Sequence, residues 1–146
     1  MIDRPRLLSD LQTLVRQLEA DLLSRLDAPE VPEVGQGLRA EYDQAKQAER
    51  TAQTFSQWAA DYTTQMAVAW VLSATFARFL EDNGLVSPPR ISGASLQRAR
   101  DEHELYFRAH PTETDREYLL WVFKDLATLP GAKEIFGAGN LLWQHP

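Results

Sequence analysis

His103-Glu104-Leu105-Tyr106-Phe107 opens with the His-Glu pair that a zinc-protease helix uses to hold metal and activate water. That helix needs a second His one turn on, and Phe107 stands there instead. His103 and His110 lie two turns apart on one face, without a third ligand beside them, so a half-exposed pair is the simpler account. Glu81 and Asp82 supply two carboxylates, yet adjacent helical residues diverge around the axis. They are expected to be a solvated, charged helix end rather than a contact to a following domain. No Ser or Thr has a readable His–Asp arrangement beside it, so nucleophilic catalysis has no support.

Ser87-Pro88-Pro89-Arg90 comes nearer to a catalytic pattern. Enzymes that methylate the exocyclic amine of a base use Asp, Asn or Ser, then Pro-Pro, then an aromatic residue. The first residue accepts hydrogen bonds from the amine, and the ring stacks on the flipped base. Three of the four positions match, but Arg90 replaces the ring and the tetrad follows a helix stop where a strand edge is required. It reads as a proline loop. Phe136-Gly137-Ala138-Gly139-Asn140 resembles a cofactor loop in composition only. Its glycines fall one and three places after the Phe instead of two and four, behind a helical segment with Lys133 and Glu134. A turn or helix stop is expected. No catalytic, cofactor-binding or metal-ligating residue is assigned.

Arg90, Arg98, Arg100 and Arg108, with Tyr106 and Phe107 close by, form the one local basic cluster. Contact with DNA phosphates is the sharp hypothesis. Asp101, Glu102 and Glu104 interleave with these arginines, which favours internal salt bridges. The four arginines and Trp143 are the candidate DNA or partner contacts, whereas Trp58, Trp70 and Trp121 sit on apolar helical faces and read as core.

The elements that must carry these residues are helices. Leu7, Leu11, Leu14, Leu18 and Leu22 recur at helical spacing, with Leu8, Val15 and Leu22 as an adjacent row. Asp3 caps this helix, and Pro5 is tolerated in its first turn. Two prolines and two glycines between Asp27 and Gly37 are expected to hold a loop, with a second helix from about Leu38 toward Arg50. Thr54 starts a long helix that is apolar almost all round from Ala67 to Leu80, expected to be the most buried, and Asn83-Gly84 stops it. Ser95 opens another helix ended by His110-Pro111. Thr114-Asp115-Arg116-Glu117 is a capping box for the next, Pro130-Gly131 breaks it, and a short turn of helix follows from Ala132 to Phe136. No segment alternates like a strand and no repeat is present. The expected fold is an all-α, single-domain bundle of about five to six helices over residues 1–146, with its central apolar helix near 55–83.

Apolar residues are 44% and charged residues 25%, too apolar for a disordered tail. The net charge of −6 is shared evenly: residues 1–50 carry seven basic and ten acidic groups, and the remainder eight and eleven. Neither part is a basic arm that seeks phosphate by charge alone. With no cysteine, disulfides and thiolate-ligated metals are excluded, which suits a reducing cytoplasm. A charged N-terminus and no membrane-length apolar run point to a soluble, unsecreted, cytoplasmic protein. Leu141-Leu142-Trp143-Gln144-His145-Pro146 is apolar where a tail is usually polar, as if the chain folds back or is cut from a longer one, the latter preferred.

Residues Tyr62 to Leu72, and Phe76-Ala77-Arg78-Phe79-Leu80-Glu81-Asp82-Asn83-Gly84-Leu85 after them, resemble a stretch in large restriction-modification and BREX-type (phage growth limitation) adenine-specific DNA methyltransferases. There a helical region precedes the catalytic domain. The opening from Ile2 to Leu22, Thr54-Phe55-Ser56-Gln57-Trp58 and the Trp121 helix fit the same family, so the resemblance covers nearly the whole chain. It implies a non-catalytic N-terminal domain of a larger N6-adenine DNA methyltransferase in a phage-defence system. The parent enzyme would use S-adenosylmethionine, whereas this segment would bind no cofactor. Its partners would be the catalytic domain C-terminal to it, and DNA or other defence proteins, with no membrane. A free-standing helical interaction module is the alternative.

Overall fold

The computed structural model describes residues 2–93 and 95–143, and the described residues form helices without any strand. In chain order these are α1 (Arg4–Leu26), α2 (Pro32–Gln47), α3 (Phe55–Asp82), α4 (Leu96–Ala109), α5 (Asp115–Leu126) and α6 (Lys133–Phe136), with a 3₁₀ turn at Leu141–Trp143. The all-α expectation holds. The chain divides into two compact units, one running up to Val71 and the other from Leu72 to Trp143, with the division inside α3.

In the first unit, α1 starts as expected: the Asp3 carboxylate accepts from the Arg6 N–H at 3.1 Å. The expected loop through Gly37 is overturned, because α2 begins at Pro32 and includes both Gly35 and Gly37. Proline at a first helical position lacks only an N–H that would have no helical partner. Gly35 is needed for closeness: a Cβ there would lie 2.1 Å from the Leu26 carbonyl oxygen. Leu38, Tyr42 and Ala45 of α2 are buried, as are Ala59, Thr63, Met66 and Ala67 of α3. The Tyr42 ring meets Phe55 and Trp58 edge-on at 5.6 and 5.9 Å, and its hydroxyl donates to the Gln53 carbonyl at 2.8 Å. Thr54 and Gln57 cap each other across the first turn of α3.

In the second unit, Phe123, Phe136, Val122 and Leu142 are the most buried large side chains, and Phe136 lies 5.6 Å from Phe123 and 5.9 Å from Phe76. Ser95 caps α4, accepting from the Arg98 N–H. The α5 capping box is present, with the Thr114 N–H donating to Glu117 at 2.9 Å. Leu72 and Phe79 are 57% and 51% exposed, so α3 is not buried all round as its composition implied. Its last turns bury one face through Ser73, Ala77 and Glu81, a spacing of four that confines burial to a narrow stripe. Trp121 is half-buried, as are Trp58 and Trp70 in their own unit, so none of the three is full core. Gln144, His145 and Pro146 lie outside the described residues. The part of that apolar segment that is described packs inward through Leu142.

Candidate functional site

The second unit is built around the loop that follows α3. Glu81, in the last turn of that helix, is only 3% exposed. Its Oε1 accepts the Arg90 N–H at 2.7 Å, its Oε2 accepts the Ser92 N–H at 2.7 Å, and the Ile91 N–H reaches both oxygens at 3.0 and 3.1 Å. Three consecutive backbone donors therefore close on one carboxylate, which satisfies both partners away from water. Asp82 takes the Ser92 hydroxyl at 3.1 Å and the Arg78 Nε at 3.2 Å. This overturns the expectation of a solvated acidic helix end. Asp82 fits it and Glu81 does not, because the loop supplies donors that the sequence places about ten residues away.

The loop is held from its other side by α5. Tyr118 donates its hydroxyl to the Arg90 carbonyl at 2.9 Å. Burial pushes the Tyr118 hydroxyl up to about 12; Glu81 and Glu102 add to this and Arg90 opposes it, so the O–H remains a donor at neutral pH. The Arg90 guanidinium lies 4.3 Å above the Trp121 ring and pairs with Asp125 through Nη1 at 2.5 Å. Gly93 completes the turn at φ +65°, and a Cβ there would lie 2.4 Å from the Pro89 Cβ. The tetrad Ser87-Pro88-Pro89-Arg90 is thus a structural loop with a cis Ser87–Pro88 bond, and its fourth position clamps α5.

A cavity of about 290 Å³ lies beside this clasp, lined by Glu81, Leu85, Arg90, Val122 and Asp125 among others. Its carboxylate is capped by backbone N–H groups and its cation is paired. Arg90 Nε is buried without a hydrogen-bond partner, so the lining mixes polar groups with Leu85 and Val122, and the volume is at the small end of the range for ligand pockets.

The arginine cluster splits. Arg90 is committed to the clasp, and its side chain is 17% exposed. Arg98 pairs with Glu102 and Arg108 with Glu104, each at 3.6 Å along α4, which is the internal bridging that the alternating charges favoured. Arg100 is exposed, and no described residue pairs with it. Trp143 is half-buried, with its indole N–H donating to the Phe136 carbonyl at 3.0 Å, so the ring is less available than its terminal position suggested. His103 meets Asp115 at 2.9 Å, and His110 stacks on Tyr106 at 4.5 Å, which places the two rings against different partners. Tyr106 donates to Glu113 and is pushed up to about 12, first by burial and then by that acceptor. Among the described residues no group of three metal-ligating side chains converges. Phe136-Gly137-Ala138-Gly139-Asn140 is a helix stop: Phe136 is buried, and the Asn140 side chain folds back to the Ile135 carbonyl at 2.6 Å.

Fold and site together define a helical surface: a braced loop after α3 and salt-bridged helices, with no convergent group of three metal-ligating side chains among the described residues. Over its entire length the chain is homologous to a protein of Streptomyces coelicolor, the adenine-specific methyltransferase PglX, with 41% identity over 150 residues. The chain spans 12% of the length of that relative. No family model matches the chain. No solved structure matches it.

Proposed function

We propose that this chain is a non-catalytic helical region, N-terminal in position, of an S-adenosylmethionine-dependent N6-adenine DNA methyltransferase of a phage-defence system. It braces the catalytic part and offers a surface to DNA or a defence partner in the cytoplasm. The single observation that carries this is identity of 41% across every residue of the chain to a methyltransferase of which it spans only 12%. Among the described residues no helix is long and apolar enough to cross a membrane. Of the candidate contacts, Arg98, Arg100 and Arg108 on α4 are exposed and free to reach an anion at the loss of weak surface pairs. Arg90 and Trp143 would have to leave internal partners first.

The test is calorimetric titration of the 146-residue chain with S-adenosylmethionine, together with a methyl-transfer assay on DNA. Neither heat of binding nor transfer is expected. Turnover by this chain alone would overturn the proposal. A free-standing interaction module is the second reading, favoured by one observation: α1 buries none of its residues despite its leucines.

A further inference from the structure

Helix α1 has 23 residues, none buried, and α2 beside it in the same unit has only 16. At 1.5 Å per residue, α2 leaves about 10 Å of α1 beyond its reach. Leu7, Leu8 and Leu14 are 41%, 57% and 49% exposed, more apolar surface than a folded helix ordinarily leaves in water. Leu11 and Leu18 are half-buried.

The order of residues along this face says what covers it. Arg4, Leu7, Leu11, Leu14, Leu18 and Asp21 follow at spacings of three, four, three, four and three. The row is symmetric about the midpoint between Gln12 and Thr13, but its ends are opposite in charge. Turned end for end against an identical row, Leu7 meets Leu18, Leu11 meets Leu14, and Arg4 meets Asp21. In a parallel pairing Arg4 would face Arg4 and Asp21 would face Asp21. Seam spacing of this kind is what two helices need to interlock side chains, and the charges select one orientation. We infer that α1 is a self-association surface: two copies of this chain pair their α1 helices antiparallel through Leu7, Leu11, Leu14 and Leu18, with Arg4–Asp21 bridges at both ends. The pairing is isologous, each residue contacting its mirror in the row. Within one chain Asp21 is held by Arg25 at 3.0 Å, an exposed i,i+4 pair weak enough to be shared with a partner. The inference does not rest on the methyltransferase proposal.

Sedimentation equilibrium of the 146-residue chain over a wide concentration range tests it. A monomer–dimer equilibrium is expected. Leu14→Glu should abolish the dimer with helical circular dichroism unchanged. Arg4→Glu should weaken association by about tenfold, since two symmetric attractions become repulsions. Adding Asp21→Arg to Arg4→Glu should restore it. Residues 4 and 21 lie about 25 Å apart along one helix, so rescue within a single chain is excluded. A monomer at every concentration overturns the inference, and so does a dimer that survives Leu14→Glu in a folded chain. A double variant as weak as Arg4→Glu overturns it too, and this holds even if Leu14→Glu fails to fold. A monomer that uses the same leucines to bind a longer methyltransferase polypeptide overturns it in favour of that occupant.

Discussion

The Glu81 carboxylate stands 2.7 Å from the backbone N–H of Ser92, and this pair closes the loop after α3 onto the helix that launches it. Arg90 and Ile91 add their N–H groups to the same carboxylate, so one side chain orders three peptide units. Their opposite edge is fixed by Tyr118 through the Arg90 carbonyl. The loop is therefore not a loose tether between helices but a half-buried turn fixed on both edges by hydrogen bonds from α3 and α5.

Removing Glu81, itself buried, leaves the buried Ser92 N–H and the half-buried Arg90 and Ile91 N–H groups without their acceptor. Glu81→Ala should destabilise the chain by about 3 kcal/mol or more, the range for orphaning a buried charged partner. Glu81→Gln, which keeps the shape but turns an N–H₂ toward donors, should cost about 2 kcal/mol. Urea denaturation with an unchanged slope would measure both. A loss below 0.5 kcal/mol, the ordinary surface range of about that size, would show that the clasp contributes nothing.

Gly93 gives an independent handle on the same loop. Alanine there must adopt φ +65° and place its Cβ 2.4 Å from Pro89 Cβ, so strain and collision add. Gly93→Ala is expected to cost about 2 kcal/mol or more, read as a lowered melting temperature.

Helices, caps and stops were legible in the sequence because they depend on neighbours a turn away. Asp3, Ser95 and the Thr114–Glu117 box each act over three residues. Gly35 and Gly37 misled, since Gly35 lets the Leu26 carbonyl approach α2 closely instead of breaking the helix, and that carbonyl is a neighbour in space. The Glu81 clasp was hidden for the same reason: its donors are backbone groups, which no residue type announces. A signal was nonetheless present, in a proline pair and a glycine flanking three residues just after a helix ending in Glu-Asp.

Acid should weaken the start of α5. Hydrogen bonds from the Thr114 hydroxyl and N–H lower Glu117 from 4.5 to about 2, against a small opposing effect of burial. A carboxylate lowered by folding contributes stability that is full above its unfolded value near 4.5 and is lost as pH falls through about 2. Glu117→Gln should flatten the pH dependence of stability in that window. An unaltered acid limb in denaturation at graded pH would refute the assignment.

Base should act through the tyrosines with the opposite sign. Tyr106 and Tyr118 are raised from 10.0 to about 12, so the stability they lend is complete below 10 and is lost as pH rises through 12. Ultraviolet titration should show these two phenols ionising late, together with Tyr62, which burial likewise pushes up to about 12. Tyr118→Phe should remove one late step and weaken the loop by about 1 kcal/mol through the lost bond to Arg90.

The arginines should divide by role when replaced. Arg90→Lys keeps the charge but gives up the planar guanidinium over Trp121 and its directed bond to Asp125, and lysine's point charge replaces neither contact. A loss of about 1–2 kcal/mol and a changed Trp fluorescence are expected. Arg98→Ala and Arg100→Ala should each stay within about 0.5 kcal/mol, since one gives up an exposed helical pair and the other no described pair. If a DNA duplex binds this chain, the same two substitutions should lower affinity and reduce its salt dependence by about one counterion each. Stability lost at Arg98 and Arg100 but kept at Arg90 would reverse the division, and would place the structural cation on α4 instead of in the clasp.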